Sequence, residues 1–534
     1  MVVIHKIKHN TGGINVKNAT KRMCVFFVLA AMLVSAVTSC SSVNDENSPK
    51  TADGGNESVN ESTTETEAET DAYGREIIGY PLEEGLNFDG YKIKMIARNN
   101  PRWLIDFGVE DYSGDGVNDA IYDRNLAVES KLGVVLEIIP VAPTNTEISE
   151  AVGDMVRENF TAGDTAYDVA AFYQFYGGPV LATSGALKNM LTLPYVDFEK
   201  PWWNHSFSEE LTYNDQLYYA IGDMNVSVTS MLMGVFFNQQ KFNGVYDDFT
   251  VLYDTVKSGK WTFDTFKNYV EGCYIDLDGV GKRDAEDFYG LMTAEDDKGP
   301  WLAAFNIKLC TKDESGTPQL SFFSERTVDA YNKIYDFYLN TPDVYFGAKG
   351  YDYVKAFMEE KTMFAICKFV DSATTLREME SLYGVLPMPK YDETQDTYHN
   401  RAHDNSNLMG VVQNTVNPEA VGAALELMNY YSYLSVTPAY FEVAMKAKYF
   451  ADSESAEMFD MIRDGTIVDF GQVYSLAIGG GRYDMLRTYH VLARNMIRQK
   501  KSDLTSQYKR NEKIYTKCLE EILARYRELG KTNK

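Results

Sequence analysis

Hydrophobic and polar positions change regime twice along this chain. Residues 23–37 (MCVFFVLAAMLVSAV) are apolar apart from Ser35, and the preceding basic run of Lys6, Lys8, Lys17, Lys21 and Arg22 contains no acid. Residues 41–75 then carry almost no apolar side chain. From about Phe88 onward, short apolar runs alternate with amphipathic stretches. Residues 91–97 (YKIKMIA) alternate apolar and basic positions and predict a strand. Residues 118–132 predict a helix that starts at an Asn cap and stops at Gly133. Residues 134–139, closed by Pro140, read as a strand buried in a parallel sheet. A second helix places Ile148, Val152, Met155, Val156 and Phe160 on one face, and residues 167–172 (YDVAAF) form the next strand. Strand, helix, strand, helix, strand predicts a doubly wound α/β lobe. Ligands of such sheets lie beyond the carboxyl ends of the strands. That marks Arg98, Asn99 and Asn100 after the first strand and Tyr173 to Gly177 after the third.

Composition changes the picture at the N-terminus. At about 15 residues, the first apolar run is shorter than the roughly 20 needed to span a bilayer. With its basic flank and small residues at its end, it has the form of an export signal. Its ending, Val37-Thr38-Ser39-Cys40, resembles the lipobox of bacterial lipoproteins, with Val where Leu is commoner. The resemblance implies that Cys40 is lipidated and becomes the new N-terminus; the alternative is an ordinary cleaved signal beside a chance cysteine. Residues 41–75 carry nine acids against two bases. So polar and self-repelling a stretch cannot offset its ordering entropy, and a disordered stalk is expected. Residues 1–39 are therefore assigned to the signal and 40–87 to lipidated Cys40 and stalk.

Length and charge bound the remainder. With 534 residues, the chain is too long for one core and suggests two large lobes. The formal charge of −26 becomes −31 without the five basic residues of the signal, so nucleic acid and anionic headgroups are poor partners. Cys273, Cys310, Cys367 and Cys518 are too few and too scattered for a disulfide framework, although one pair could bridge. Aromatic residues make up 13%, mostly Tyr, a side chain that stacks and hydrogen-bonds at once.

The order of motifs then becomes specific. Residues 217–238 (LYYAIGDMNVSVTSMLMGVFFN) place Gly222-Asp223 between two apolar runs, the second ending at Asn238. Residues 357–364 (FMEEKTMF), 383–393 (YGVLPMPKYDE) and 452–462 (DSESAEMFDMI) follow in turn. Together these resemble the family 1 extracellular solute-binding proteins of ABC importers, the group that includes maltose-binding protein, over residues 88 to 500. Glu360 departs from the pattern, standing where the family usually has Gly before Lys361. The resemblance implies a two-lobed periplasmic-binding-protein-like α/β fold, each lobe a doubly wound sheet, joined by two or three crossing strands. Residues 88–232 and 363–433 would form the first lobe, and 233–362 and 434–534 the second. A face of Val328, Tyr331, Ile334, Tyr335 and Tyr338 and a helix capped by Asn417 with Pro418 belong to this reading. In the C-terminal helix, Leu504, Tyr508, Tyr515, Leu519, Ile522 and Tyr526 would pack across one lobe.

The resemblance also implies the function: a monomer, lipid-anchored on the outer face of a membrane, captures a solute by lobe closure and delivers it to ABC permease subunits. A sugar is the expected solute. Aromatic faces stack on pyranose rings while amides and charges meet the hydroxyls. Tyr173, Trp202, Trp203 and Trp301 are the stacking candidates, with Arg98, Asp223 and Asp404 as polar ones. Against this, Trp202 and Trp203 could equally serve the core. Residues 276–287 (DLDGVGKRDAED) resemble a calcium loop, with Asp276, Asp278, Asp284 and Asp287 at positions 1, 3, 9 and 12, but Val280 at position 5 brings no oxygen. No cofactor is required, and a structural calcium is the one metal the sequence suggests. Asp469-Phe470-Gly471 and His399/His403 lack the partners of a kinase or zinc motif. No G-x-S-x-G, H-E-x-x-H, C-x-x-C or P-loop is present. The rival readings are a secreted carbohydrate-active lipoprotein enzyme, glycosidase or lyase, and a surface adhesin, although adhesin strands would favour β-sandwiches over strand–helix alternation.

Overall fold

In the computed structural model, the chain carries two separate sheets. The structure describes residues 70, 75–142, 151–174, 182–295, 300–440, 453–481 and 491–532. All of them belong to one unit, Glu69–Lys534. The export signal, Cys40, residues 41–69, Ile148, the loop residues 175–177 and Asp452 lie outside the described residues.

The first sheet is built from β1 (Tyr91–Arg98), β2 (Val134–Val141) and β3 (Val169–Tyr173). Strand β1 pairs in parallel with both β2 and β3, as the strand–helix alternation requires. Strand β2 differs from expectation. It is the sheet edge and runs through Pro140, with Val135 41% exposed. An edge strand tolerates proline because one row of its N–H groups has no ladder partner to lose. The helix Gly116–Leu132 begins earlier than its apolar pattern suggested. Asp115, not Asn118, caps it, accepting the N–H groups of Val117 and Asn118, and Gly133 ends it at φ 59°.

In the second sheet, β4 (Met233–Asn238), β5 (Tyr289–Ala294), β8 (Val344–Gly347), β9 (Thr362–Lys368) and β10 (Tyr383–Leu386) run in the order β10-β4-β9-β5-β8. A small hairpin of β6 (Cys310–Lys312) and β7 (Pro318–Leu320) stands apart. The last strand, β11 (Asn407–Val411), returns to the first sheet antiparallel to β3. This corrects the expected boundary. Strand β9 pairs with β4 and β5, so the chain has not re-entered the first lobe at residue 363; it does so only after residue 400. Before β9, Glu360 adopts φ 60°, the left-handed conformation a glycine would supply, so the turn keeps its shape without the glycine.

The crossings are not strands, contrary to expectation. The first passes through the short helix Val226–Ser230. The second is the segment around residues 400–406, and the third continues the helix Pro418–Tyr431 through the π-turn Ser432–Val436. That helix has the predicted start, with the Asn417 side chain accepting the N–H of Ala420 and Pro418 at its first position. Residues expected to end the stalk are also placed differently. Ile78, Tyr80, Leu82 and Leu86 pack on the first-lobe core, so the stalk stops short of residue 87.

The C-terminal helix Leu504–Thr532 spans both lobes rather than one. Its first half lays Tyr508 flat on Phe323, ring centroids 4.6 Å apart. Its second half reaches residues of the first lobe: Arg525 donates to the Thr183 carbonyl at 2.7 Å, and Gln216 to that of Tyr526 at 2.6 Å. Of the four described cysteines, Cys273, Cys310 and Cys367 are buried and Cys518 is half-buried.

Candidate functional site

Strand β1 delivers Arg98 to its carboxyl end, as expected, but the side chain is already employed. Its guanidinium lies between two rings, 3.8 Å from the Trp103 centroid and 4.8 Å from that of Tyr173. It donates to Asn407 Oδ1 at 2.9 Å. Burial pulls its pKa down to about 10. Tyr173 is buried with Leu476 and Val491. Arg98 and Tyr173 therefore meet, as a clamp on the second crossing segment rather than as open ligand contacts.

The tryptophan expectation fails for a physical reason. Trp202 and Trp203 are 0% and 3% exposed, and their indole N–H groups donate to the two oxygens of Glu426 at 3.0 and 2.8 Å. A buried Trp needs one partner for its N–H, and Glu426, 224 positions from Trp202, serves both residues. Trp301 is buried too, donating to the Tyr338 hydroxyl at 2.5 Å among Phe263, Phe266 and Phe305. Asp404 is 3% exposed and paired with Arg401 at 2.6 Å. Asp223 accepts the Thr437 hydroxyl at 3.0 Å, tying the first crossing to the third; burial pushes its pKa up to about 6.

A polar network that no motif announced fastens the crossings. Asp106, fully buried, accepts the Ser227 N–H at 2.7 Å, the Ser227 hydroxyl at 2.6 Å and the Asn407 amide at 2.9 Å. Arg124 donates to the carbonyls of Asp106 and Phe107 and to Ser432 Oγ. Residues of the first and third crossings, and Asn407 where the second ends, thus converge on one first-lobe cluster. Burial raises the pKa of Asp106, against the pull of its hydrogen bonds.

In the proposed calcium loop, Asp276, Asp278 and Asp287 bring oxygens within 4.8 Å of one another, whereas Asp284 is not among them. Asp284 instead accepts the N–H of Glu286. The loop's own N–H groups occupy Asp276, and Asp287 takes the Tyr274 hydroxyl and two N–H groups.

The large open space lies on another part of the same interlobe face. A cavity of about 1400 Å³ is walled by the helices Pro101–Leu104 and Phe369–Ala373, which follow β1 and β9. Arg102, Glu110 and Asp111 line the first-lobe side; Ser372, Thr374 and Arg377 line the other, over an apolar floor that includes Phe369 and Tyr440. Sequence reasoning reached the loop after β1 but stopped at Asn100. It missed the loop after β9 because that strand was placed in the wrong lobe. A separate chamber of about 90 Å³, lined in part by Trp301, Arg401 and Gln472, opens after β5.

No family model and no curated protein matches the sequence. Solved structures do resemble it. UspC of M. tuberculosis is similar over 80% of this chain and 100% of its own, at 14% identity and a TM-score of 0.52. A cyclo/maltodextrin-binding protein complexed with maltotetraose is similar over 82% of this chain and 96% of its own, at 14% identity and TM-score 0.49. An ABC transporter solute-binding protein of Thermotoga lettingae bound with α-D-tagatose follows, over 81% and 100%, at 14% and 0.46. The likeness to UspC is one of fold, and it agrees with the two-lobed periplasmic-binding-protein-like α/β architecture.

Proposed function

We propose that this chain is an extracellular solute-binding protein that captures a carbohydrate between its lobes and hands it to an ABC permease. In this reading it acts as a monomer held at a membrane by lipidated Cys40. The observation that carries the proposal is the cavity of about 1400 Å³ at the carboxyl ends of β1 and β9, between two lobes joined by three crossings. That volume exceeds the roughly 300–1,000 Å³ of most small-molecule pockets and suits an oligosaccharide. Its lining mixes both charge signs with hydroxyls over an apolar floor, the combination a neutral polyhydroxylated ring needs. Closure about the crossings is the motion such a receptor uses, and a solute shifts it only by its preference for the closed state.

The enzyme reading is less well supported. A glycosidase sets two carboxyl groups on opposite sides of the bond it cuts, about 5–9.5 Å apart. Among the described lining residues, Glu110, Asp111 and Asp115 all come from the first lobe, and the second-lobe wall offers Arg377, Ser372 and Thr374. Thermal unfolding of the mature protein with a panel of mono- and oligosaccharides tests the proposal. One sugar should stabilise it by about 2.7 kcal/mol at a hundredfold excess over Kd and be recovered intact. New reducing ends, or no stabilisation by any sugar, would refute it.

A further inference from the structure

The C-terminal helix carries a charge pattern that runs against the rest of the chain. Residues 498–517 hold seven bases against two acids, in a protein of formal charge −26. In the helix Leu504–Thr532, one side buries Leu504, Tyr508, Asn511, Tyr515 and Leu519. The opposite side presents Lys509, Lys513 and Lys517, all exposed and one above another at four-residue spacing over about 12 Å. Arg510 is exposed beside them, and Lys500 and Lys501 are exposed just before the helix begins. Lys517 meets Glu521 at 3.6 Å; the other five have no ion pair among the described residues. Of the two acids, Asp503 is used at the helix start, accepting the Ser506 N–H at 2.9 Å, and Glu512 is exposed.

We infer that this stripe docks the second lobe on a membrane surface of anionic phospholipid headgroups. A protein partner fits it less well. Protein interfaces are depleted in Lys and rely on aromatic or other large apolar anchors, and no large apolar side chain described between residues 498 and 532 is exposed. A headgroup layer needs no anchor: it spreads negative charge over a plane, and each nearby Lys or Arg is attracted to it separately. The acidity of the whole chain does not forbid the contact, because charges beyond about 8 Å are largely screened at physiological salt. The repulsion that makes anionic headgroups poor partners for the chain as a whole is therefore weak at this one face. Position gives the docking a use. The carbonyls of Lys500 and Lys501 accept the hydroxyls of Tyr335 and Tyr331, and Tyr508 stacks on Phe323, so the stripe rides on the second lobe. Ile78, Tyr80, Leu82 and Leu86 bring the N-terminal end of the chain onto the first lobe instead. With lipid at Cys40 as proposed, each lobe then has its own attachment to the membrane. The inference does not depend on which solute is bound.

The test is co-sedimentation of the mature chain, made without lipid at Cys40, with vesicles of phosphatidylcholine alone or with about a third phosphatidylglycerol. At about 0.1 M salt it should bind the mixed vesicles and not the neutral ones, and about 1 M salt should release it. Lys509→Glu with Lys513→Glu should weaken that binding about twenty-fivefold or more, since each cation contributes about fivefold. Lys92→Glu with Lys131→Glu, the same change in net charge on exposed first-lobe lysines, should leave it within about twofold. All four lysines are exposed, so the melting temperature should not move in either variant. No binding to mixed vesicles, equal binding to both kinds, or the same loss in both variants overturns the inference. Capture of the chain by immobilised polyglutamate while mixed vesicles leave it free also overturns it, and assigns the stripe to an acidic protein surface.

Discussion

The two lobes are secured by different physics. The first buries charge and then satisfies it: Glu426 beneath two indoles, Asp106 beneath Ser227 and Asn407, and Arg124 across three oxygens. The second buries rings. Phe263, Phe266, Trp301, Phe305 and Phe337 form a cluster of edge-to-face and tilted pairs with centroids 5.3–6.3 Å apart. Aromatic packing is insensitive to protonation and sensitive to volume; a buried carboxylate is the reverse. The crossings attach to the polar lobe through Ser227, Asn407 and Ser432, so the connections between the lobes share its chemistry.

The contrast can be broken from either side. Phe337→Ala should have the largest effect, about 3–5 kcal/mol lost in urea unfolding, with the same loss at pH 5 and pH 8. A loss that varies with pH would erase the distinction. Asp106→Ala should cost about 3 kcal/mol, since it strips the partner of Ser227 and Asn407 and removes a negative charge that acts on the buried Arg98 and Arg124. Unlike the Phe337 change, it should also enlarge the radius of gyration in small-angle scattering as the crossings loosen.

Glu426 gives the pH signature. Burial raises its pKa from 4.5 to about 7, opposed by the indole N–H groups. The folded state therefore holds this proton more tightly than the unfolded chain does. Its stabilising contribution is complete below about pH 4.5 and disappears as pH rises through 7. Across that window the wild type should lose up to about 3 kcal/mol that Glu426→Gln does not lose. Parallel pH profiles for the two proteins would contradict this assignment. The smallest effect is expected from Trp203→Phe, about 1 kcal/mol, for one hydrogen bond removed with most of the ring kept.

These regions were unequally legible in the sequence. Strands β1 and β3 and the helix opening at Pro418 followed from period and caps, which are local properties. Strand β9 was found, but its sheet was not, because an apolar run does not name its neighbour. Trp202 and Trp203 read as a loop, since their partner Glu426 lies more than two hundred residues away. The cavity wall at Arg102 to Asp111 continues the loop already marked at Arg98. Following that loop for ten more residues would have reached it. The helix Leu504–Thr532 showed its apolar face but not that two lobes share it, because periodicity reports burial and is silent about what buries.

The central claim is that solute lodges between the lobes, and Ala373→Trp tests it most directly. Ala373 is exposed and lines the cavity wall, so an indole there occupies the space without disturbing a core. Calorimetry with whichever sugar stabilises the wild type should show affinity falling at least about tenfold, while the melting temperature without sugar stays unchanged. Undiminished affinity in the plugged protein would place the solute elsewhere and contradict the account.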